Sequence, residues 1–508
     1  MAHETPAHSS SSFAGRWLWL SGYEAGLALR RPAVHAFAGL LAVLAALSAS
    51  LGMRDLLARD QHYTSLIEAQ TKAQLGTSSL MGWEIDSRLR AIRPPEIGAS
   101  VVEGVERSLP AYWDFGPSGV DWGSELRAGG ERQHGVKLDF GILVLTLGGL
   151  LAGLYGVGMI ARPKRTGTFK ALLSLPIPPA MVILSKLAAA SVVVTYAVLL
   201  MQIGTVAALV TSAPPSPGYP VPELVTLIGP MALPALLFLW FMVALGASVA
   251  LLASEATAQL VQVALWVAIS LLGPHLTWTA SRLLVPATAR GVMEHARTEA
   301  FANGVRAAED RMGLLLVARA GARLDMGTER ELVEGHRDVL EGIWQEGSRR
   351  ARAEAEAIDA SWRARRHQQA AFANGLGYLS AGALLIRTLE ALAGTGAPLA
   401  GSWQRSAEHY QDTLDQELFD DRPRPTIRVP INAGGMLMAF NRRGAPKLHE
   451  LPQFKAPRFG ARDRIAAAIS PIVGLTIYLL LAVCLAVWLF PQRAIRTEKP
   501  RRTAHSNG

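Results

Sequence analysis

The sequence predicts an all-α polytopic membrane protein, with six transmembrane helices and two extracytoplasmic insertions, the larger of which is mainly helical. Half of the 508 residues are apolar and only 18% are charged. The apolar residues are concentrated in blocks without Asp, Glu, Lys or Arg, and each block contains the roughly 20 residues that a helix needs to cross a bilayer. The blocks show no polar face, which excludes surface helices of a globular domain. They cover residues 33–53, 140–161, 187–222, 224–254, 256–281 and 465–492.

The polar segments between the blocks divide the chain. The stretch "TSAPPSPGYPVPE" at 211–223 separates the third block from the fourth, because proline cannot continue a helix and unsatisfied backbone cannot remain in lipid. The predicted parts are a cytoplasmic tail with an interfacial connecting helix (1–32), transmembrane helix 1 (33–53), a first extracytoplasmic domain (54–138), transmembrane helices 2–5 with a hairpin at 161–180 (139–281), a second extracytoplasmic helical domain (282–464), transmembrane helix 6 (465–492) and a cytoplasmic tail (493–508).

The first block could also be read as a secretory signal peptide, with "SAS" at 48–50 as the cleavage site. The block is too long for a signal core, and its basic flank lies about thirty residues into the chain. We therefore expect a retained first span.

The short segments predict the orientation. Residues 1–32, the hairpin at 161–180 and the tail at 493–508 carry twelve basic residues, whereas few acidic residues lie on that side. Positive residues in short segments face the cytoplasm, so both termini are expected there, in a bacterial inner membrane. Most of the net charge of +9 is then explained by the basic residues that set the membrane topology. No basic and aromatic surface pattern indicates nucleic-acid binding.

The two long segments predict helices. In the first, a helix is expected at 54–75, followed by irregular chain in which Trp113, Phe115 and Trp122 form a small aromatic core. In the second, one helix is expected at about 289–320. Another begins at the capping box "TERE" at 328–331 and runs to about 371, where Asn374-Gly375 ends it. Apolar residues at helical spacing predict that these two helices bury a common seam.

Several kinds of chemistry are not indicated. Cys484 is the single cysteine, so the chain can form no internal disulfide and no cysteine-based metal cluster, and the histidines show no metal-ligand spacing. The phosphate-binding pattern G-x-x-x-x-G-K-[ST] does not occur, so we expect the chain itself not to be an enzyme or to bind ATP. Charged residues are missing from the middle of the spans, which argues against a proton- or ion-coupled carrier.

Small residues on the second span predict close helix packing. Gly149 and Gly153 are four residues apart, a spacing that brings two membrane helices into contact. Such a face is usually an intramolecular contact and only sometimes a subunit seam.

Two short segments on the predicted cytoplasmic side carry the most specific pattern. The first, "FAGRWLWLSGYEAGLALRR", precedes the first span and suits the bilayer interface. The second, "MIARPKRTGTFKALLSLPIPPAMVILSKL", is the hairpin between spans 2 and 3. In it, Gly167 permits close backbone approach and Thr168 can cap a helix. Together the two segments resemble the permease subunits of type 2 ATP-binding-cassette exporters.

The resemblance implies site residues. Such permeases carry a connecting helix, six spans and a coupling helix between spans 2 and 3 that contacts an ATPase. Pro163 and Arg165 stand where the family pattern has two glutamates. The connecting helix would use Trp17, Trp19, Tyr23 and Glu24. The ATPase-coupling segment would use Arg162, Lys164, Arg165, Gly167, Thr168, Leu172, Leu173, Leu175 and Pro176, followed by Lys186 at the head of span 3.

The long outer segments are similar to those of the subfamily that includes permeases for multicopper-enzyme maturation. "LAGTG" at 392–396 resembles its outer-domain motif, with Gly396 in place of an Asp. The resemblance implies a cytoplasmic P-loop ATPase as partner, with ATP-Mg on that ATPase and no cofactor or metal on this chain. It also implies a second copy or a similar permease, with both subunits in the lipid bilayer.

Two other functions remain open from the sequence. One is a membrane-anchored assembly or maturation factor that transmits ATPase motion outward without transport. The other is a sensor or structural anchor without an ATPase, in which the basic hairpin only sets the orientation.

Overall fold

The computed structural model describes residues 13–76, 90–106, 109–116, 119–122, 138–169, 174, 177–212, 221–320, 335–415, 427–432, 435–439, 452, 454–457 and 460–496. The helices are α1 (Phe13–Leu29), α2 (Pro32–Gly76), α3 (Phe140–Thr166), α4 (Pro179–Ser212), α5 (Val221–Ile228), α6 (Ala232–Leu252), α7 (Glu255–Leu284), α8 (Arg290–Ala320), α9 (Arg337–Gly377), α10 (Ala381–Ala393), α11 (Ala397–Asp415) and α12 (Ala461–Arg496). The strands are β1 (Arg90–Ile92), β2 (Tyr112–Gly116), β3 (Gly119–Trp122), β4 (Ile427–Asn432) and β5 (Gly435–Ala439).

Six of the described helices are long and apolar enough to cross a membrane, which confirms the predicted fold class. We call them spans 1 to 6. They run over Pro32–Lys72, Phe140–Thr166, Pro179–Ser212, Val225–Leu252, Glu255–Leu284 and Ala461–Gln492.

Span 4 lies at the centre of the bundle. It packs against spans 2, 3 and 6, and 78% of its most apolar window is buried, compared with 17% for span 5. The start of span 4 departs from the sequence expectation, because Pro222 and Glu223 already belong to the short helix α5. Proline is tolerated there because the first turn of a helix leaves its backbone N–H groups unpaired. A 3₁₀ turn at Gly229–Met231 then leads into α6.

Glycines bring spans 2 and 4 into backbone contact. A Cβ atom on Gly156 would overlap the carbonyl group of Val243, and one on Gly246 would overlap the carbonyl group of Gly153. Close contact of this kind supplies the dispersion and Cα–H···O interactions that hold membrane helices together in the absence of a hydrophobic driving force.

The predicted packing residues Gly149 and Gly153 lie on this same face. Gly149 faces the ring of Phe238 on span 4, and Gly153 faces the side chain of Gln262 on span 5. Both contacts are within one chain.

The helix of span 1 continues far beyond the membrane. α2 has 45 residues and is therefore about 68 Å long, so the helix expected at 54–75 is a continuation of the span. Met53 and Leu56 are buried on it, and Leu66 packs against Ile92 and Tyr112.

The chain after α2 forms a sheet, and the expectation of irregular structure there was wrong for 90–92, 112–116 and 119–122. β1, β2 and β3 are antiparallel in that order, with Ala91 opposite Trp113 and Trp113 opposite Trp122. Local propensity missed the strands because they are short, and because each is stabilised by pairing and by a packing partner distant in sequence.

The two insertions share one aromatic core. Trp113 stacks on Trp403 of α11 with 5.5 Å between ring centroids, and Phe115 meets Tyr410 edge to face at 5.0 Å. Trp113 and Phe115 are thus core residues as predicted, although five of the eight buried residues of this core come from the second insertion. The side chain of Trp122 lies outside the described residues.

Helices α8 and α9 form the predicted packed pair. Gly304 of α8 abuts Ala351 of α9, and Gly347 of α9 abuts Ala308 of α8. The capping box at 328–331 lies outside the described residues. α9 ends at Gly377, two residues beyond the predicted stop at Asn374-Gly375, and Arg387 donates hydrogen bonds to the backbone and side-chain oxygens of Asn374.

α10 returns from the second insertion to the spans. Its 13 residues are too few to cross a bilayer, yet Leu384, Leu385 and Leu389 are fully buried. Gly382 touches the backbone of Ile269 in span 5, and Leu384 packs on Gly474 in span 6. α10 is therefore wedged among the spans.

The contact between spans 2 and 4 can be tested with a matched pair of glycines. We expect Gly156→Ala to destabilise the protein by about 1–3 kcal/mol, because its Cβ has no room beside Val243. Gly158→Ala is the control, since its nearest neighbour is the Arg162 side chain at 3.9 Å. The apparent melting temperature in detergent should fall for Gly156→Ala only, and an equal response of the two variants would contradict the packing.

Candidate functional site: the face of the termini and the outer junction

Four parts of the chain meet at the membrane side where α1 begins and span 6 ends. They are α1, the hairpin between spans 2 and 3, the turn between spans 4 and 5, and the end of α12. Phe169 of the hairpin meets Phe490 of α12 edge to face, with 5.3 Å between ring centroids. We call this surface the terminal face.

α1 is attached to span 3 by a buried ion pair. The Nζ atom of Lys186 donates to Oε1 of Glu24 at 2.7 Å, and the lysine side chain is only 5% exposed. Removing one partner from such a pair leaves an uncompensated charge and typically costs about 3–5 kcal/mol. The sequence pattern marked both residues separately, and the structure joins them.

The aromatic residues of α1 divide between two environments. Trp19 and Tyr23 are exposed and stacked, with 5.8 Å between ring centroids. Trp17 is half-buried, and Leu20 and Ala28 are buried. An exposed aromatic pair beside a packed face suits a helix at the bilayer interface, and this location stays a prediction.

Lys164 of the hairpin caps the end of span 4. Its Nζ atom donates to the carbonyl oxygen of Ala250 at 2.9 Å and contacts that of Leu251 at 3.4 Å. The last carbonyl groups of a helix lack partners within the helix and carry a partial negative charge, so a lysine there stabilises the end.

Arg165 contacts the other side of the same turn. It lies 2.9 Å from Glu255, the first residue of span 5. The arginine side chain is 70% exposed, so this pair contributes at most about 1 kcal/mol. Arg162 is exposed on the same helix end. The hairpin is thus attached to both helices of the span 4–5 turn.

The helix of span 2 ends at Gly167. This glycine has φ +75°, a left-handed conformation that other residues adopt at a cost, and Thr168 and Phe169 resume helical conformation. The Thr168 hydroxyl is hydrogen-bonded to that of Thr166. Leu172, Leu173, Leu175 and Pro176 lie outside the described residues, so their ATPase contact stays a prediction.

At the opposite end of the spans, the "LAGTG" segment joins both insertions. Thr395 is fully buried, and its hydroxyl donates to the carbonyl oxygen of Val102 at 2.9 Å. The backbone N–H of Val105 donates to the Thr395 carbonyl at 2.9 Å. Gly98 permits this approach, because a Cβ there would overlap the Ala393 carbonyl. We call this region the outer junction.

Ion pairs surround the outer junction. Arg93 and Glu106 form a buried pair at 2.6 Å, and Arg464 at the start of α12 lies 3.2 Å from Glu96. Burial raises the pKa of Glu96, which the nearby Arg464 opposes.

Asp139 fastens span 2 to the same region. One carboxylate oxygen accepts from the N–H of Ile142 at 2.7 Å as the helix N-cap, and the other accepts from the N–H of Glu103 at 3.2 Å. Glu103 in turn pairs with Arg59 of α2 at 3.1 Å. No local pattern indicates the contacts through Glu103 and Arg59, which come from two other segments of the chain.

Glu390 is the acidic residue of α10. Burial raises the pKa of its carboxyl to about 7, the nearby Asp139 carboxylate adds to the rise, and Arg387 opposes it. Among the described residues, no group of three or more His, Cys, Asp or Glu side chains could hold a metal ion.

The raised pKa of Glu390 predicts a pH dependence of stability. The folded state keeps a proton up to about pH 7 that the unfolded chain loses near 4.5, so stability should fall as pH rises through this interval. Glu390→Gln should therefore match the wild type near pH 5 and be more stable at pH 8, as measured by apparent melting temperature. Glu356→Gln on exposed α9 is the control. A difference between Glu390→Gln and wild type that does not change with pH would contradict the assignment.

Comparison with known proteins identifies the family. No curated protein matches the sequence. The family model described as "ABC-2 family transporter protein" matches residues 18–494. The match extends from α1 through all six spans and both insertions to the end of α12. The chain therefore belongs to the ABC-2 transporter family.

Proposed function

We propose that this chain is the membrane-spanning permease subunit of an ATP-binding-cassette export complex, driven by a separate cytoplasmic ATPase that binds the terminal face. The observation that carries the proposal is the attachment of the hairpin to spans 4 and 5 through Lys164 and Arg165, within a chain of the ABC-2 family. ATP and Mg²⁺ would be bound by the ATPase. A second copy of this chain, or a similar permease, would complete the pathway.

The contacts of the hairpin support a route for force. A displacement of the hairpin would move the end of span 4, because Lys164 holds the last carbonyl groups of that helix. It would also move span 6 through the Phe169–Phe490 contact. Span 4 is the most enclosed span, so its motion is transmitted to its neighbours.

α1 supports a second route. Its buried ion pair between Glu24 and Lys186 ties it to span 3, which runs beside span 1. An ATPase that pushes both α1 and the hairpin would therefore act on spans 3 and 4 from separate points. The substrate or force would emerge at the outer junction, where spans 1, 2 and 6 meet the insertions.

One observation also favours the alternative in which motion is transmitted outward without transport. α2 is a single helix of 45 residues from the membrane to the insertion core, and α10 carries the insertion back among the spans. Movement of the spans would therefore reach the insertions directly.

The orientation is tested by cysteine labelling. In a Cys484→Ser background, a cysteine at exposed Glu346 of α9 should react with an impermeant maleimide in intact cells, and one at exposed Thr166 should not. Thr166→Cys should react once the membrane is permeabilised, which controls for its accessibility. Labelling of Thr166→Cys in intact cells would reverse the proposed orientation.

The ATPase contact is tested in the hairpin. Leu172→Asp with Leu173→Asp would place two charges in a contact that is expected to be apolar, at a cost of several kcal/mol each. We expect loss of ATPase co-purification with normal membrane insertion, because the change lies between the spans.

Arg162→Gln is the matched control, since an exposed ion pair contributes only about 0–1 kcal/mol. It should retain most of the bound ATPase. If the double Asp variant keeps its ATPase and full activity, the coupling role is wrong and the hairpin only sets orientation.

A further inference from the structure

An apolar groove lies between the end of α1 and the outward face of span 3. Its volume is about 400 Å³, within the usual range of roughly 300–1,000 Å³ for small-molecule sites. Val192 and Leu199 are 46% and 53% exposed, so the groove opens sideways, where the surrounding solvent is the bilayer. Its lining residues are Leu29, Ser191, Val192, Thr195, Tyr196 and Leu199.

Two arginines stand at one end of this groove. Arg30 and Arg31 follow Leu29 directly, in the short break between α1 and α2, and both are exposed. Ala28 and Val34, which flank the arginines in the sequence, lie in one cluster with Tyr155 of span 2. Within the described part of the chain, neither arginine has an acidic side chain as a hydrogen-bonded or ion-pair partner.

The other charged groups nearby leave this positive charge in place. Glu24 lies one to two turns earlier on α1, but it is paired with Lys186 at 2.7 Å. His35 uses both ring nitrogens, one toward the Tyr196 hydroxyl at 3.1 Å and one toward the Leu29 carbonyl at 2.6 Å. The end of the groove therefore carries the net charge of two arginines.

Aromatic and polar groups surround the groove at this level. The rings of His35 and Tyr196 meet edge to face at 5.6 Å, and Trp240 donates to the Ser191 carbonyl at 3.3 Å. Span 1 begins at Pro32, directly after the two arginines, whereas Val192 and Leu199 belong to the apolar helix of span 3. The charged end of the groove therefore precedes a span, and its apolar lining lies within one.

We propose that the groove binds one anionic phospholipid from the leaflet on the side of the amino terminus. Its phosphate group lies at Arg30 and Arg31, and one acyl chain lies along Leu29, Val192 and Leu199. Basic pockets between membrane helices recognise anionic headgroups, and arginine presents paired donors that match phosphate oxygens. A bound lipid would fill the gap between α1 and span 3 next to the Glu24–Lys186 pair, and so stabilise the position of α1.

The proposal is tested with the full chain in detergent, by native mass spectrometry with added phosphatidylglycerol or phosphatidylcholine of the same chain length. We expect one phosphatidylglycerol to bind at least ten-fold more tightly than phosphatidylcholine. Arg30→Gln with Arg31→Gln should weaken the binding of phosphatidylglycerol roughly 30-fold, at about 1 kcal/mol for each charge. The binding of phosphatidylcholine should not change. Arg30→Lys with Arg31→Lys should retain most of the preference.

Two further variants distinguish binding in this groove from non-specific attraction of an anionic lipid to positive surface charge. Arg162→Gln removes an exposed arginine about two helical turns beyond Tyr155 and should leave binding unchanged. Thr195→Trp fills the groove and should weaken the binding of both lipids. The proposal is overturned if wild type binds the two lipids equally, if Arg162→Gln weakens phosphatidylglycerol as much as the double Gln variant, or if Thr195→Trp has no effect.

Discussion

The backbone contact between spans 2 and 4 sets the positions of the other parts of the molecule. Membrane helices cannot gain stability by leaving water, so they associate by close packing, and the glycines at 153, 156 and 246 allow the closest packing available. Because no side chain lies between the helices at these points, span 2 has little freedom to slide or rotate on span 4. This fixes the position along the helix axes at which Lys164 meets the end of span 4, and the position at which span 2 begins at Asp139.

The terminal face follows from that arrangement. The hairpin is attached to spans 4 and 5, whereas α1 is attached to span 3, so the two elements that an ATPase would contact act on different helices. The attachment of α1 changes along its length. At Glu24 a buried ion pair holds it to span 3, while Leu29 lines the groove that we assign to a lipid. How tightly α1 is held against span 3 would then depend on the bound lipid as well as on contacts within the protein.

The outer junction is organised by contacts between segments far apart in the chain. The two insertions share an aromatic core, since Trp113 of the first stacks on Trp403 of the second. Thr395 and the ion pairs around Glu96 and Glu106 join this shared core to the starts of spans 2 and 6. These side chains are all paired, and Thr395, Arg93 and Glu106 are buried, which favours a junction that moves as one piece.

The sequence by itself determined the six spans, a helix before them and the paired helices of the second insertion. Each of these features follows from a property of one continuous stretch of sequence, such as the length of an apolar run or the helical spacing of apolar residues. Only the tertiary structure showed that Lys186 pairs with Glu24, that Lys164 caps span 4, that α10 is wedged among the spans, and that a sheet in the first insertion is completed by an aromatic core from the second. Those features depend on which distant residues come together, and a buried charge or a short strand is stable only when that partner is present. A local sequence pattern does not identify that distant partner.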